Sequence, residues 1–174
     1  MDDRIRITLE QGVADVRLVR ADKMNALDDE MFEALRQAGE RLKRTPGVRA
    51  VVLSGEGRAF CAGLDTANFG RMASGQRGGE RLLQGERTAG GANPPQHTVM
   101  VWRELPVPVI AAVHGVAYGG GFQLMLAADL RFVAPDTRLS IMEINWGLVP
   151  DMGGMVLLRG LVRDDIAREL TYTG

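Results

Sequence analysis

Cysteine occurs once in the 174 residues, at Cys61, which excludes an internal disulfide and fits a reducing compartment. Lysine occurs only at positions 23 and 43, so arginine carries nearly all the positive charge, and the formal net charge is −1. That balance lacks the basic excess that nucleic acid or an anionic membrane surface selects. No apolar run approaches the roughly 20 residues of a membrane-spanning helix, and the charged start Met1-Asp2-Asp3-Arg4 lacks the apolar centre of a secretory signal. The expectation is a cytoplasmic protein with neither nucleic acid nor membrane as a partner. Histidine is confined to His97 and His114, with no cysteine near either at ligand spacing, so no metal site is expected. Three familiar signatures are missing: the G-x-x-x-x-G-K-[ST] phosphate loop, the G-x-S-x-G nucleophile elbow and the H-E-x-x-H zinc helix. Gly55-Glu56-Gly57 also lacks the third glycine of a dinucleotide fingerprint.

What is present reads as one domain of ordinary globular composition, 45% hydrophobic and 25% charged. Ile5, Ile7 and Leu9 alternate with polar neighbours, and Gln11-Gly12 turns this strand into a second over 13–19, a hairpin. An irregular polar loop over 20–27 follows. Asp28 then caps a helix from Asp29 to about Lys43, with Met31, Leu35, Ala38 and Leu42 on one face, ended by Pro46-Gly47. Val48–Leu53 reads as a buried strand. Residues 70–95 shift to Gly, Arg, Glu and Gln and predict a mobile, variable lid with a short helix near 80–87. Val107–Val113 is a central strand, and a helix is expected over 121–129. Short strands over 130–134 and 138–141, a loop over 147–154, and helices over 154–159 and 164–171 complete the chain. The alternation of strands and helices predicts a layered α/β domain.

The stretch around which the chain is organised is Ala117-Tyr118-Gly119-Gly120-Gly121, between the central strand and its helix. Consecutive glycines there let another group approach the backbone, and a helix start leaves N–H groups unpaired. Phe60-Cys61-Ala62-Gly63-Leu64-Asp65 offers a second such place, so two backbone donors could converge on one oxygen. Taken singly, each cluster reads equally as a tight turn. Cys61 lies in an apolar stretch without an evident base and reads as a packing residue rather than a nucleophile.

Four motifs occur in order: Lys23-Met24-Asn25-Ala26-Leu27; Phe60 to Asp65; Gly119-Gly120-Gly121; and Glu143 followed by Gly147-Leu148-Val149-Pro150-Asp151-Met152-Gly153-Gly154. Together they closely resemble the crotonase (enoyl-CoA hydratase/isomerase) superfamily over nearly the whole chain. The resemblance implies a ClpP/crotonase-type α/β fold, a spiral of ββα units in layered sheets flanked by helices. It implies an acyl-CoA thioester substrate and an enolate-like intermediate, with coenzyme A part of the substrate and no separate cofactor. It implies an oxyanion hole from the N–H groups of Leu64 and Gly120. Lys23, Met24, Ala26, Ala62, Gly63, Asp65, Thr66 and Gly119 would line the coenzyme A and substrate approach; for Lys23 a solvated surface role competes.

The departures from the family pattern point to the reaction. Family hydratases use two glutamates; here the first position is Gln123, whose neutral amide can orient water but not take its proton, and the second is Glu143. Asp151 stands where many hydratases carry a small residue and certain dienoyl-CoA isomerases an aspartate. Glu143 and Asp151 could share one pocket as an acid–base pair; alternatively Asp151 caps the following helix and Glu143 ends a strand. The leading expectation is enoyl-CoA isomerisation with Glu143 as acid/base. The alternatives are hydration or hydrolysis on the same scaffold, or a non-catalytic coenzyme A-binding relative. The resemblance implies a C-terminal helical region that builds a homotrimer or hexamer, and the expectation is that this sequence lacks it. Exposure of Leu157, Leu158, Leu161 and Leu170 is therefore expected.

Overall fold

The computed structural model describes residues 3–74 and 85–174. Strands β1 (Ile5–Glu10) and β2 (Val13–Leu18) form the expected antiparallel hairpin. β2 then pairs in parallel with β3 (Ala50–Gly55), β3 with β4 (Val109–Val113), and β4 with β6 (Leu130–Val133). The five-stranded order is β1-β2-β3-β4-β6. A second, two-stranded parallel sheet joins β5 (Val116–Tyr118) to β7 (Arg138–Ser140). Each parallel pair needs a helical or long crossover, which places helices over the sheet and buries alternate residues of β2, β3 and β4, while the edge strand β6 stays largely exposed. Among the described residues no helix is long and apolar enough to cross a membrane.

Helix α1 (Asp29–Arg44) starts where Asp28 predicts, the Asp28 carboxylate accepting from the Met31 N–H at 2.8 Å. Its buried stripe of Met31, Ala34, Leu35, Ala38 and Leu42 joins one core with Val16, Leu18, Val51, Leu53 and Val109. α2 (Thr66–Ala73) and α3 (Pro94–Arg103) are helices not expected from the sequence, and they overlap the expected lid only at 70–73 and 94–95. α3 begins with a capping box: Asn93 accepts from the Gln96 N–H while the Gln96 side chain accepts from the Asn93 N–H, and two prolines open the first turn. The short helix expected near 80–87 falls largely outside the described residues, and 85–87 are not helical. α4 (Gly120–Leu126) is buried throughout and ends three residues before the expected Asp129. There the Asp129 carboxylate instead accepts from the Val109 N–H at 2.8 Å and fixes the adjoining strand. α5 (Gly154–Leu158) and α6 (Asp164–Thr173) close the chain.

The expected exposure near the end holds only in part. Leu161 is exposed, but Leu158 is buried in the core and Leu157 and Leu170 pack against it. Larger exposures belong to Leu130 and Phe132 on β6 and to Trp146, Val149, Val156 and Tyr172.

Asn25 is fully buried in a left-handed conformation (φ 55°), and its Nδ2 donates to the carbonyls of Glu56 (3.0 Å) and Ala59 (2.9 Å). It ties the loop after β2 to the loop after β3. Asn25→Ala strands the buried Ala59 carbonyl and the half-buried Glu56 carbonyl and is expected to cost about 1–3 kcal/mol, read as a fall of several degrees in Tm. An unchanged Tm would refute this account of the loop.

Candidate active site

Three backbone segments lie side by side. The 24–27 loop runs along 62–65: Ala62 N–H donates to the Met24 carbonyl (2.9 Å), Leu27 N–H to the Gly63 carbonyl (2.7 Å), and Asp65 N–H to the Leu27 carbonyl (3.1 Å). On its other side 60–63 runs parallel to 116–118, with Cys61 N–H on the Val116 carbonyl (3.1 Å) and Tyr118 N–H on the Cys61 carbonyl (3.0 Å). Past the bridge of Cys61 with Ala117 the two segments stay together, and Gly63 comes up against the Tyr118–Gly120 turn. The approach is close: a Cβ on Gly63 would stand 2.5 Å from the Tyr118 carbonyl oxygen and 3.5 Å from the Gly120 nitrogen.

Gly63 (φ 86°) and Gly119 (φ 49°) take backbone conformations that L side chains rarely adopt. Gly119 donates to the Ser140 carbonyl at 2.9 Å, which fixes the turn into α4. Past these two turns the N–H groups of Leu64 and Gly120 find no acceptor among the described residues. Leu27 and Met152 close over Gly120, where a Cβ would come within 2.7 Å of Leu27 Cδ1 and 3.0 Å of Met152 Sδ. Unpaired donors beside apolar side chains can stabilise charge that develops on a nearby oxygen.

The carboxyl group reaches this place from a 3₁₀ turn, Met142–Trp146, ended by Gly147. Glu143 is only 9% exposed, and its Oε1 lies 3.5 Å from where a Gly119 Cβ would stand. Burial raises its pKa above the usual carboxylate range; the Gln123 hydrogen bond opposes this, and the Asp151 charge adds to it. Oε1 accepts from Gln123 Nε2 at 2.6 Å, while the buried Oε2 has no partner among the described residues. Asp151 sits at the rim. The residue is exposed, yet protein packed around its carboxyl raises its pKa as well. It does not cap α5, whose N-cap is Gly153. Phe69 of α2 stacks on Trp146 with ring centroids 4.5 Å apart, joining the helix after Leu64 to the turn that bears Glu143.

The remaining expected contact residues divide. Lys23 and Thr66 are exposed, Met24 and Ala62 half-buried, Ala26 and Gly63 buried. Asp65 is occupied: it caps α2 by accepting from the Ala67 N–H (2.9 Å) and pairs with Arg20 (2.5 Å), and both bonds hold its pKa low. Arg20, which the sequence did not single out, also reaches the Ala26 carbonyl (3.1 Å) and so holds the first loop to the second. Its partner is 45 residues away, and no local pattern announces it. Cys61 is completely buried, and burial pushes its thiol up to about 12, which leaves it protonated and inert near neutral pH. Among the described residues one cluster has the atoms to ligate a metal: Glu40, His97 and Glu104. The Lys43 ammonium already fills it, 3.0 Å from Glu40 and 2.5 Å from Glu104.

The family model described as enoyl-CoA hydratase/isomerase matches residues 8–174. The chain belongs to this family. Two curated relatives illustrate its spread. The peroxisomal Delta(3,5)-Delta(2,4)-dienoyl-CoA isomerase of Arabidopsis thaliana is 30% identical over 97% of this chain and 61% of the relative. A Bacillus subtilis (strain 168) protein named probable enoyl-CoA hydratase is 32% identical over 98% of this chain and 62% of the relative. The crystal structure of enoyl-CoA hydratase from Bacillus anthracis superposes with a TM-score of 0.83 at 30% identity, covering 98% of this chain and 63% of that one. The chain thus spans about three fifths of the length of these family members, and the crotonase fold expected from the motifs is the fold observed.

Proposed function

We propose that this chain carries the core of an enzyme that isomerises an enoyl-CoA thioester, with Glu143 as the acid/base. Glu143 Oε2 takes a proton from the carbon next to the thioester carbonyl. The negative charge moves onto the carbonyl oxygen, where the Leu64 and Gly120 N–H groups stabilise it. The proton then returns two carbons further along, from Glu143 or from Asp151, and the double bond has shifted with no atom gained or lost. The observation that carries this reading is the buried Glu143 Oε2, without a partner among the described residues, beside the Gly119–Gly121 turn. Burial suits the group to proton exchange, because its raised pKa brings proton release and uptake closer to neutral pH. Coenzyme A would lie along the 23–27 loop and Ala62, with Lys23 at its polar end.

Hydration on the same frame is the second reading, favoured by the relatives named for that reaction. Mass spectrometry of products from a mixed panel of 2-enoyl- and 3-enoyl-CoA thioesters separates the two. Isomers of equal mass are expected; products heavier by one water would overturn isomerisation in favour of hydration. A self-associating protein is also proposed, because β6 leaves Leu130 and Phe132 on the surface at the edge of the sheet. Sedimentation velocity should give trimers or hexamers, and a monodisperse monomer would count against this.

A further inference from the structure

We infer that Gln123 is a positioning residue that locks the Glu143 carboxyl so that Oε2 alone is presented to the substrate. This rests on the proposed role of Glu143 and adds how its geometry is set. Gln123 is 2% exposed and makes two bonds in opposite directions: its Oε1 accepts from the Gly154 N–H at 2.9 Å, and its Nε2 donates to Glu143 Oε1 at 2.6 Å. The Gly154 N–H can only donate, so the amide oxygen must face α5 and the amide nitrogen must face Glu143. The flip ambiguity of an amide is thereby resolved by the backbone. The fit leaves no slack, since a Cβ on Gly154 would stand 2.8 Å from both Gln123 Cγ and Oε1.

The lock has a chemical direction. Oε1 of Glu143 is held as an acceptor, so the proton that the carboxyl gains resides on Oε2, the oxygen without a partner among the described residues. A second carboxylate at position 123 could not do this while ionised, because two like charges at that separation repel. Gln123 therefore leaves Glu143 as the one carboxylate at this contact. With its carbonyl held by Gly154, the amide serves Glu143 rather than an attacking water.

The test measures kcat and KM for conversion of 3-hexenoyl-CoA to the 2-enoyl isomer across pH, with the whole chain and three variants. Glu143→Gln tests the underlying reading: retained turnover removes Glu143 from the chemistry altogether. Gln123→Met keeps volume and drops both bonds. It is expected to lower kcat about 10²-fold, the scale of a small misplacement of a reacting group, with KM little changed. The acid limb should also move to higher pH, because a bond that lowers the Glu143 pKa is lost. Gln123→Glu keeps the acceptor for Gly154 and covers the case in which Gln123→Met fails to fold. One shared proton should preserve turnover in it, and a new descending limb should appear as that proton leaves. If Glu143→Gln is dead while Gln123→Met keeps wild-type kcat and pH profile, Gln123 is packing only and the inference is overturned. A Gln123→Glu enzyme without the descending limb overturns it equally.

Discussion

Glu143→Gln is expected to cut turnover by about 10²–10⁴, the usual contribution of a positioned acid/base, and at the same time to stabilise the fold at pH 7. The two effects share one cause. Burial raises the Glu143 pKa in the folded chain, whereas the unfolded chain carries an ordinary carboxyl. The folded state therefore holds the proton more tightly. Its stability contribution is full below the unfolded value and is lost as pH rises through the folded one. At pH 7 the cost of burying the charge, or of taking up a proton to avoid it, opposes folding, and a neutral amide of the same shape costs less to bury. The variant can still accept from Gln123 Nε2 through its own carbonyl. Its Tm should exceed that of the wild type at pH 7, and the gap should close as pH falls into the carboxylate range. Burial shifts Asp151 the same way, so the variant keeps a slope of that sign, smaller because the Glu143 charge no longer acts on Asp151. Thermal melts between pH 4 and 8 beside a kinetic assay check both halves. A lower Tm at pH 7 would refute the cost assigned to the buried charge.

How much of this was legible in the sequence depended on the range of each interaction. Asp28 and the stripe from Met31 to Leu42 announce α1, because cap, period and apolar face lie within one segment. The hairpin and the strand over 109–113 were readable for the same reason. The start of α3 was equally local, with Asn93 and Gln96 at capping-box spacing around two prolines. It was obscured by the Gly-, Arg- and Gln-rich composition just before it. β7 was readable as a short strand over 138–141, whereas β5, only three residues long, acquires meaning from its pairing with β7. The site divides similarly. The glycines around Gly120 and Gly63 mark the two turns, but that they meet follows from the parallel pairing of Cys61 with Ala117. Gln123 looked like a departure to be explained by water. Its partners, 20 and 31 residues away, give it a different task.

Gly63→Ala is the second change expected to disable the site, and it acts with no catalytic side chain altered. The methyl group would sit 2.5 Å from the Tyr118 carbonyl oxygen, a backbone atom held in the pairing of 60–63 with 116–118. Neither segment can yield without shifting Gly63, and Leu64 after it, away from the Tyr118–Gly120 turn. Loss of one backbone donor at a developing oxyanion typically costs about 10²–10³ in rate, and kcat should bear that loss more than KM. Gly47→Ala separates this from conformational strain. Gly47 shares the positive φ (80° against 86°) but has no atom within 4 Å of the added methyl. It should lose about 1–2 kcal/mol of stability from the left-handed conformation and keep wild-type kcat. A Gly63→Ala protein that folds and turns over normally would mean that the Leu64 and Gly120 donors do not act on one oxygen. Equal kcat losses in both variants would assign the effect to stability. With kcat lost only at Gly63, the register that aligns the two backbone segments is itself part of the catalytic apparatus.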